Sequence, residues 1–578
     1  MKLVLRLALA IIIIFVLALA FVWWNQPQAA DMRAYVPADT LIYIEVNKLT
    51  DIATGIASTD AWKALAPPAG IRSNIGQLSR WQRLAAWTGI GPAESVVIGR
   101  AQVAVAVSGF ATSSENEETF NIKPLFAVVI ETHSSEARAR ALIMKRVGEF
   151  ARKIYGTDQP TSKQADGIEL MIWSAPTSEK YIVAAIESGV AVVGNDEGTV
   201  KACIATRRGL RPSLASNGEV EEMRRRVNGA DALAFGYISA AGASTLLEIA
   251  ARAYFGASTD TSAQSGAGSL FSQLRNKFIA GVGWSSHIVG GKVEDRYFIN
   301  LQNGLAQNLK SPLTIDPTVK FGVSDFLPTE TYSLSRYNYR EPAAAWRGMK
   351  AVIYSQLDVA MAFFFSSKKL LDAVLVPYGI DEPDIFLRSV GPEIATARLD
   401  STGEGTITIV EARDENALRE FVKRRLGTNV KTEHMGDAEF LISSDVERGA
   451  AAFVAGRLLL GPEANLRRCL EARSQGQTLS HSEQFIRTAQ TVSSDSSTNA
   501  LTYTRETEAA RDFITSLALQ RGLRDHPPDV EGLNKSLEQL GYSVSGTNLV
   551  EGGFEKVTRS SFGLFGTLVT QIAGSSPQ

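Results

Sequence analysis

Few side chains in this sequence have the types and spacing that catalysis needs. Ser366 and Lys369 in "SSKK" fit the Ser-x-x-Lys spacing, in which a lysine helps to activate a serine nucleophile. No Lys-Thr-Gly triplet follows them, and the surrounding "MAFFFSSKKLLDAVLVPYG" is typical of an apolar helix. We therefore predict no catalytic role for this motif.

Glu131 and Glu411 each stand between an apolar, strand-like run and a helical pattern. A carboxylate in that place could act as a general acid or base. It could equally stabilise the partial positive charge at the start of the following helix. Because neither a histidine nor a second acid occupies a matched position beside both glutamates, we predict a structural role for both and no catalytic residue.

Residues that commonly hold metals or cofactors are sparse. The two cysteines cannot form a four-thiolate site, and the five histidines lack the short spacings of metal ligands. The histidines are His133, His287, His434, His481 and His526. The stretch "GNDEGTVK" (194–201) lacks the Gly-Lys-Ser/Thr order of a phosphate loop. With a net charge of −2, the chain also lacks a basic field. We expect no metal, no cofactor and no nucleic-acid partner.

The two cysteines occupy similar sequence contexts. Cys203 lies in "TVKACIATRRG" and Cys469 in "NLRRCLEARSQG", and each helical pattern follows a glycine-containing hairpin pattern. Cysteine often packs as a small buried hydrophobe, so we predict that both thiols are core residues. The alternative is a disulfide between the two helices, which would need Cα atoms within about 7 Å.

The similarity around the cysteines extends along both halves of the chain. "VPADTLIYIEVN" (36–47) matches "LPTETYSLSRYN" (327–338), and "AAIESGVAVVG" (184–194) matches "AAFVAGRLLLG" (451–461). Each half reads as strands joined by tight turns and by helices, one of them capped by Ser134 or Asp414. We therefore predict an internal duplication and an α+β class, with a mixed or antiparallel sheet and packed helices in each of two tandem homologous domains.

The amino terminus indicates a membrane location. Lys2 and Arg6 precede an uncharged apolar run at 7–24, which is long enough to cross a bilayer as a helix. The run exceeds an ordinary signal-peptide core, and Gln28 disrupts a small-x-small cleavage site. We predict an uncleaved, single-pass anchor in the inner membrane, with a cytoplasmic N-terminus and the rest of the chain periplasmic or extracellular. A cleaved signal is the alternative.

These patterns predict the domain boundaries. We expect an anchor at 1–30, a first repeat at 31–303, a linker at 304–325, a second repeat at 326–563 and an amphipathic tail at 564–578. In "SFGLFGTLVTQIAG", Phe562, Phe565, Val569 and Ile572 share one helical side. We predict that this stripe packs on its own domain, and the alternative is contact with a membrane or a partner.

The paired openings "VPADTLIYIEV" and "FLPTETYSLS", the leading apolar segment and the glycine hairpin before a helix carry a resemblance. Together they resemble a bacterial family of large, membrane-anchored envelope proteins with a conserved domain of unknown function. The second opening departs from the first, with Thr329 and Glu330 in place of Ala and Asp. Membership implies a membrane or periplasmic location and no activity or catalytic residues.

The sequence therefore favours a non-catalytic, membrane-anchored protein that binds or scaffolds a partner in the cell envelope. The alternative is a carrier for an apolar ligand in a cleft between the repeats, lined by residues such as Phe363, Phe364 and Phe365. A hydrolase with an unrecognised constellation of residues is a third hypothesis.

Overall fold

A computed structural model of the chain describes residues 28–71, 91–116, 119–176, 180–256, 277–302, 304–319, 322–357, 366, 371–402, 405–490, 498–519 and 526–574. The predicted anchor at 7–24 and residues Phe363, Phe364, Phe365 and Lys369 lie outside these ranges. Among the helices of the described ranges, none has the length and apolar character needed to span a membrane.

The strands have the following bounds. They are β1 (Ile42–Val46), β2 (Gln102–Asn116), β3 (Thr119–Glu131), β4 (Thr161–Ala165), β5 (Ile168–Ser174), β6 (Tyr181–Glu187), β7 (Val190–Gly194), β8 (Ala234–Ser239), β9 (Ile279–Val289), β10 (Lys292–Leu301), β11 (Ser333–Asn338), β12 (Val390–Arg398), β13 (Ile407–Ala412), β14 (Val430–Met435), β15 (Ala438–Ser443), β16 (Ala450–Val454), β17 (Arg457–Gly461), β18 (Ala500–Arg505), β19 (Tyr542–Val550) and β20 (Gly553–Ser560).

The α-helices of the described ranges are generally short. They are α1 (Leu49–Ser58), α2 (Asp60–Leu65), α3 (Ala93–Arg100), α4 (Glu136–Tyr155), α5 (Glu197–Arg207), α6 (Gly218–Arg226), α7 (Ala240–Gly256), α8 (Leu305–Lys310), α9 (Pro342–Ser355), α10 (Pro383–Ser389), α11 (Glu415–Leu426), α12 (Glu463–Ser474), α13 (Glu483–Gln490), α14 (Thr507–Ala518), α15 (Val530–Glu538) and α16 (Gly563–Gly574). Short 3₁₀ helices lie at Met32–Tyr35, Leu214–Ser216, Gly229–Asp231, Val323–Phe326, Asp372–Tyr378, Val446–Arg448 and Leu479–His481.

The predicted fold class was wrong. The twenty strands form one large antiparallel sheet with helices, whereas we expected an α+β fold with a transmembrane helix and two separate tandem sheets. The reason is that apolar alternation identifies a strand but does not identify the strands beside it. Strand β10, near the end of the first predicted repeat, pairs antiparallel with β20, near the end of the second, from Val293 opposite Ser560 to Asn300 opposite Gly553.

The chain divides into two compact units. Unit 1 comprises 1–58, 74–242 and 283–287, and unit 2 comprises 59–73, 243–282 and 288–578. In unit 1, β1 lies between β2 and β8, β2 pairs with β3, and β3 pairs with β7 at the end of the β4–β5–β6–β7 meander. In unit 2, β11 lies between β12 and β18, β12 pairs with β13, and β13 pairs with β17 at the end of the β14–β15–β16–β17 meander. The two units therefore share an order of strand pairing.

Local residue chemistry explains the hairpins that precede the cysteine helices. The β6–β7 turn has positive φ at Ser188 (48°) and Gly189 (83°), and the β16–β17 turn has positive φ at Ala455 (48°) and Gly456 (71°). Two successive left-handed residues match the right-handed twist of the flanking strands in a two-residue hairpin. A glycine at the second turn position avoids the steric cost of a side chain there.

The ends of two helices were predicted with mixed success. Asp414 accepts a hydrogen bond from the Ala417 N–H and caps α11, as predicted. At α4, however, the N-cap is Ser135, one residue beyond the predicted Ser134, and its side chain makes no capping hydrogen bond. The segment "SVVIGR" (95–100) forms most of α3, with Val96 and Val97 buried. Adjacent apolar residues fit a buried helix as well as a strand.

Both cysteines are core residues, as predicted. Cys203 on α5 and Cys469 on α12 are free and buried. Cys469 belongs to a core cluster with Leu466 and Leu470, and Cys203 is buried next to Ile204 in sequence. Burial raises the pKa of both thiols to about 12, so each remains a neutral apolar group.

Candidate functional site

One face of the sheet in unit 2 carries a row of hydroxyl groups. The strand registers place Thr396, Ser335, Thr502, Ser545 and Thr558 next to one another on β12, β11, β18, β19 and β20. All five are partly exposed. Successive side chains of a strand point to opposite faces, and the residues that follow or precede them, such as Leu334, Tyr503 and Val544, are buried in the core. We call this set of five residues the hydroxyl row.

Hydrogen bonds join neighbours within the hydroxyl row. The hydroxyls of Ser335 and Thr502 lie 3.1 Å apart, and those of Ser545 and Thr558 lie 2.8 Å apart. A hydroxyl has one donor hydrogen and two acceptor lone pairs, so one such bond leaves capacity for a ligand. Asp295 on β10 stands opposite Thr558 and extends the row by a carboxylate.

A cavity of about 430 Å³ lies over the Ser545–Thr558 end of the row, beside the start of α16. Its walls come from β10, β18, β19, β20, α14 and α16. They include Asp295, Tyr297, Tyr332, Thr504, Arg505, Glu506, Ser543, Ser545, Lys556, Thr558, Ser560 and Ser561. We call this cavity the α16 cleft.

The C-terminal helix forms one wall of the α16 cleft by packing on its own unit. The rings of Phe562 and Phe513 have centroids 4.3 Å apart, and both Phe562 and Phe565 are buried. The prediction that the tail packs on its own domain is therefore confirmed for these two side chains. The side chains of Val569 and Ile572 lie outside the described residues.

Two buried carboxylates fix the start of α16. The Leu564 N–H donates to Asp295 Oδ2 at 2.8 Å. Ser561 donates its backbone N–H to Glu506 Oε1 and its hydroxyl to Oε2, the latter at 2.8 Å. Acceptors at this place satisfy amides that have no partner within the helix. Both acids therefore have a structural role in shaping the cleft.

Glu506 lies in an environment that disfavours its charge. Burial raises the pKa of this carboxyl, while Lys292 and the Ser561 hydrogen bonds act in the opposite direction. The Lys292 ammonium is 3.9 Å from Glu506 Oε2 and donates to the Tyr542 carbonyl at 3.2 Å. A carboxyl with a shifted pKa in a cleft often marks a functional site, and ion-pair networks in a protein core shift carboxyl pKa values in the same way.

Cations and aromatic rings complete the α16 cleft. The Lys556 ammonium lies 5.8 Å from the Tyr297 ring centre, and the Arg505 guanidinium lies 6.0 Å from that of Tyr542. Burial, followed by the charge of Asp295, raises the pKa of Tyr297, which therefore keeps its proton. Such contacts hold the cationic side chains against ring faces. The cleft thus contains donors, acceptors and ring surfaces together.

A second cavity adjoins the first through shared wall residues. It has a volume of about 620 Å³, and Tyr332 and Arg505 line both cavities. In its wall, Glu330 and Asp400 both bind Arg468, at 3.2 and 3.1 Å. Arg468 balances the charge of one of these two acids, and Arg505 and Arg511 line the same cavity, which therefore extends the polar surface without a strong charge of one sign.

The structure places the predicted chemical residues apart from the α16 cleft. In unit 1, Glu131 accepts hydrogen bonds from the Tyr35 hydroxyl and the His133 N–H, both at 3.0 Å. In unit 2, Glu411 on β13 stands opposite Arg457 on β17. Within the described ranges, no group of three or more His, Cys, Asp or Glu residues is arranged to hold a metal ion.

Sequence reasoning missed Asp295, Glu506 and the hydroxyl row. The available signal is the alternation of Ser and Thr in "YSVSG" and "KVTRSS", which places hydroxyls on one face of two strands. That signal shows a polar face but not that the strands are neighbours. The chain matches no protein-family model, no curated protein and no solved structure.

Proposed function

We propose that this protein is a non-catalytic, membrane-anchored protein of the cell envelope that binds a ligand or partner through the α16 cleft. The observation that carries the binding role is the composition of the cleft wall. Its two buried acids are engaged by Ser561 and Leu564, while hydroxyls, cations and tyrosine rings line the open volume. A cavity of this size with a few convergent polar groups is typical of a ligand site.

The location in this proposal depends on the amino-terminal sequence. Lys2 and Arg6 precede the apolar run at 7–24, and positive residues on the short leading side favour a cytoplasmic N-terminus. The described chain begins at residue 28, and Gln102 holds Ala30 by two hydrogen bonds of 2.7 and 3.1 Å. Such an anchor would end a few residues before the first described residues of unit 1.

Internal duplication is a further part of the proposal. The common pairing order of the two units supports it, as do the two-residue hairpins before α5 and α12. The β10–β20 pairing fits it as well, since it joins the last strands of the two predicted repeats. Loops tolerate length changes better than cores, which is consistent with the unequal lengths of the repeats.

The apolar-carrier alternative remains a prediction. Phe363, Phe364 and Phe365 lie outside the described residues, so the cleft predicted for them is not described. The α16 cleft lies where β10 meets β20, and most of the residues in its wall carry a hydroxyl or a charge. We therefore favour a polar ligand over an apolar one.

A two-part experiment on the full chain tests the proposal. A C-terminal epitope tag should become sensitive to added protease when the outer barrier of the cell is permeabilised but the inner membrane is intact. Native mass spectrometry of the full chain in detergent, purified from its own envelope, should show a bound mass that disappears on denaturation. A tag that resists protease until the inner membrane is lysed would contradict the location. An unliganded protein from every envelope preparation would contradict the binding role.

A further inference from the structure

We propose that the α16 cleft binds a neutral carbohydrate chain, an inference that rests on the binding role proposed above. The first argument is the match of hydrogen-bonding types. Sugar hydroxyls donate and accept at once, as do Ser543, Ser545, Thr558 and Ser560 in the cleft wall. Lys556 adds a further donor, so both orientations of a sugar hydroxyl find a partner.

The second argument is the ring surface. Tyr297 and Tyr332 line the same cavity as these hydroxyls. A pyranose ring has an apolar C–H face between its hydroxyl groups, and a tyrosine ring buries such a surface while its own hydroxyl stays polar. A cation above Tyr297, the Lys556 ammonium at 5.8 Å, adds a hydrogen-bond donor beside that ring.

The third argument is the charge of the wall. Asp295, Glu506 and Asp512 are its acids, and Arg505 and Lys556 are its bases. A third base, Lys292, lies 3.9 Å from Glu506 Oε2, so the two signs nearly balance around the ligand volume. A strongly charged ligand would find no field to attract it. The wall thus favours a neutral, hydroxyl-rich ligand.

The fourth argument is that the fold does not require the hydroxyl row. In unit 1, Ile44 on β1 stands between Val105 on β2 and Gly236 on β8. In unit 2, Ser335 on β11 stands between Thr396 and Thr502. The same pairing order therefore accommodates an apolar row at these positions, which continue the hydroxyl row outward from Ser545 and Thr558 of the cleft wall.

The test uses the full chain in an amine-oxide detergent, because maltoside detergents carry sugar headgroups that would compete. The probes are maltotriose and the trimer of N-acetylglucosamine, and saturation-transfer NMR with titration calorimetry detects binding. We expect at least one trisaccharide to bind. Thr558→Val keeps the shape of the side chain and removes its hydroxyl, so it should weaken binding about five- to tenfold. Thr396→Val is the matched control, since Thr396 belongs to the hydroxyl row but not to the cleft wall, and it should leave binding unchanged.

Three outcomes would overturn the inference. One is the absence of binding by either trisaccharide to folded protein, and a second is binding that Thr558→Val and Lys556→Met both leave intact. A lysine-rich peptide that binds in place of the sugars, and whose binding is lost in the Asp512→Asn variant, would also overturn the inference. If native mass spectrometry still shows a bound mass of another class, the carbohydrate inference fails while the proposed binding function stands.

Discussion

Strand β1 of unit 1 and strand β11 of unit 2 each lie between two antiparallel neighbours. Each strand buries one charged side chain, which is an acid in β1 and a base in β11. In unit 1, Glu45 is 3% exposed, accepts from the Tyr43 hydroxyl at 2.6 Å and lies 2.7 Å from Arg224 Nη1. In unit 2, Arg336 Nε lies 3.0 Å from Glu393 Oε1, and both side chains are 1% exposed.

The partners of the two buried charges come from different places. Arg224 lies on α6 and its side chain is 17% exposed, so water still reaches it. Glu393 lies on β12 and also binds Arg457 of β17 at 2.9 Å, so the unit 2 network joins three strands. The same order of strands thus allows a buried acid paired with a partly exposed arginine in one unit. In the other unit it allows a fully buried Arg336–Glu393 pair, with Arg457 as a third member that is 16% exposed. Strand order therefore does not determine where charge is placed.

The largest expected effect distinguishes the two networks directly. Arg336→Met leaves the buried Glu393 carboxylate with Arg457 alone, and removal of one partner from a buried ion pair costs about 3–5 kcal/mol. Glu45→Gln should cost less, about 1–2 kcal/mol, because Gln can still accept from Tyr43 and Arg224 can turn to water. Denaturant unfolding combined with hydrogen exchange of β1 and β11 amides measures each unit. Equal losses in the two units would contradict the distinction.

A double substitution sharpens this prediction. Arg336→Met with Glu393→Gln removes both members of the pair, so the double variant should be less destabilised than the sum of the single variants. Simple additivity would show that the pair does not act as a unit.

The second expected effect depends on pH and arises in unit 2. Glu506 follows β18, while Ala240 follows β8, so unit 1 has no acid at that place. Because burial raises the folded-state pKa of Glu506 above its usual 4.5, its contribution to stability is full below pH 4.5 and is lost as the pH rises through the folded-state value. In the Glu506→Gln variant, the protection of α16 amides from hydrogen exchange should no longer fall as the pH rises. A variant with the same pH profile as the natural chain would contradict it.

A third effect has the opposite sign and arises in unit 1. Burial, only partly offset by Glu131, lowers the pKa of His133 from 6.5, and Arg100 acts in the same direction. The neutral imidazole is favoured in the fold, so stability is full above pH 6.5 and is lost as the pH falls through the lower folded-state value. The protection factors of β3 amides, which are corrected for the intrinsic pH dependence of exchange, should fall on acidification, and should fall less in His133→Gln. In unit 2, Arg413 follows β13, where unit 1 has His133 after β3. If β13 amides lost as much protection as β3 amides on acidification, this difference between the units would be contradicted.

The sequence predicted local features better than their arrangement. The hairpins, the cysteine helices and the Asp414 cap depend on neighbouring residues, and all three are present. By contrast, Arg224 in "EVEEMRRRV" (219–227) reaches the buried Glu45 on β1, a contact between distant parts of the chain. The α16 cleft needs four strands and two helices from distant parts of the chain, and no local pattern encodes their adjacency. For the same reason the single twenty-stranded sheet was missed.

The smallest expected effect concerns the feature that the two units share. Cys203 and Cys469 are both buried and free, and the pKa of each thiol is raised to about 12. The thiolate is the reactive form, so neither thiol should react with a maleimide in the native chain at pH 7, and both should react in denaturant. Cys203→Ala and Cys469→Ala should each cost about 1 kcal/mol, because each removes one buried sulfur from a packed helix face. A native thiol that reacts in one unit alone would show that the two cysteine helices differ in burial, and the difference between the units would then extend from their charges to their cores.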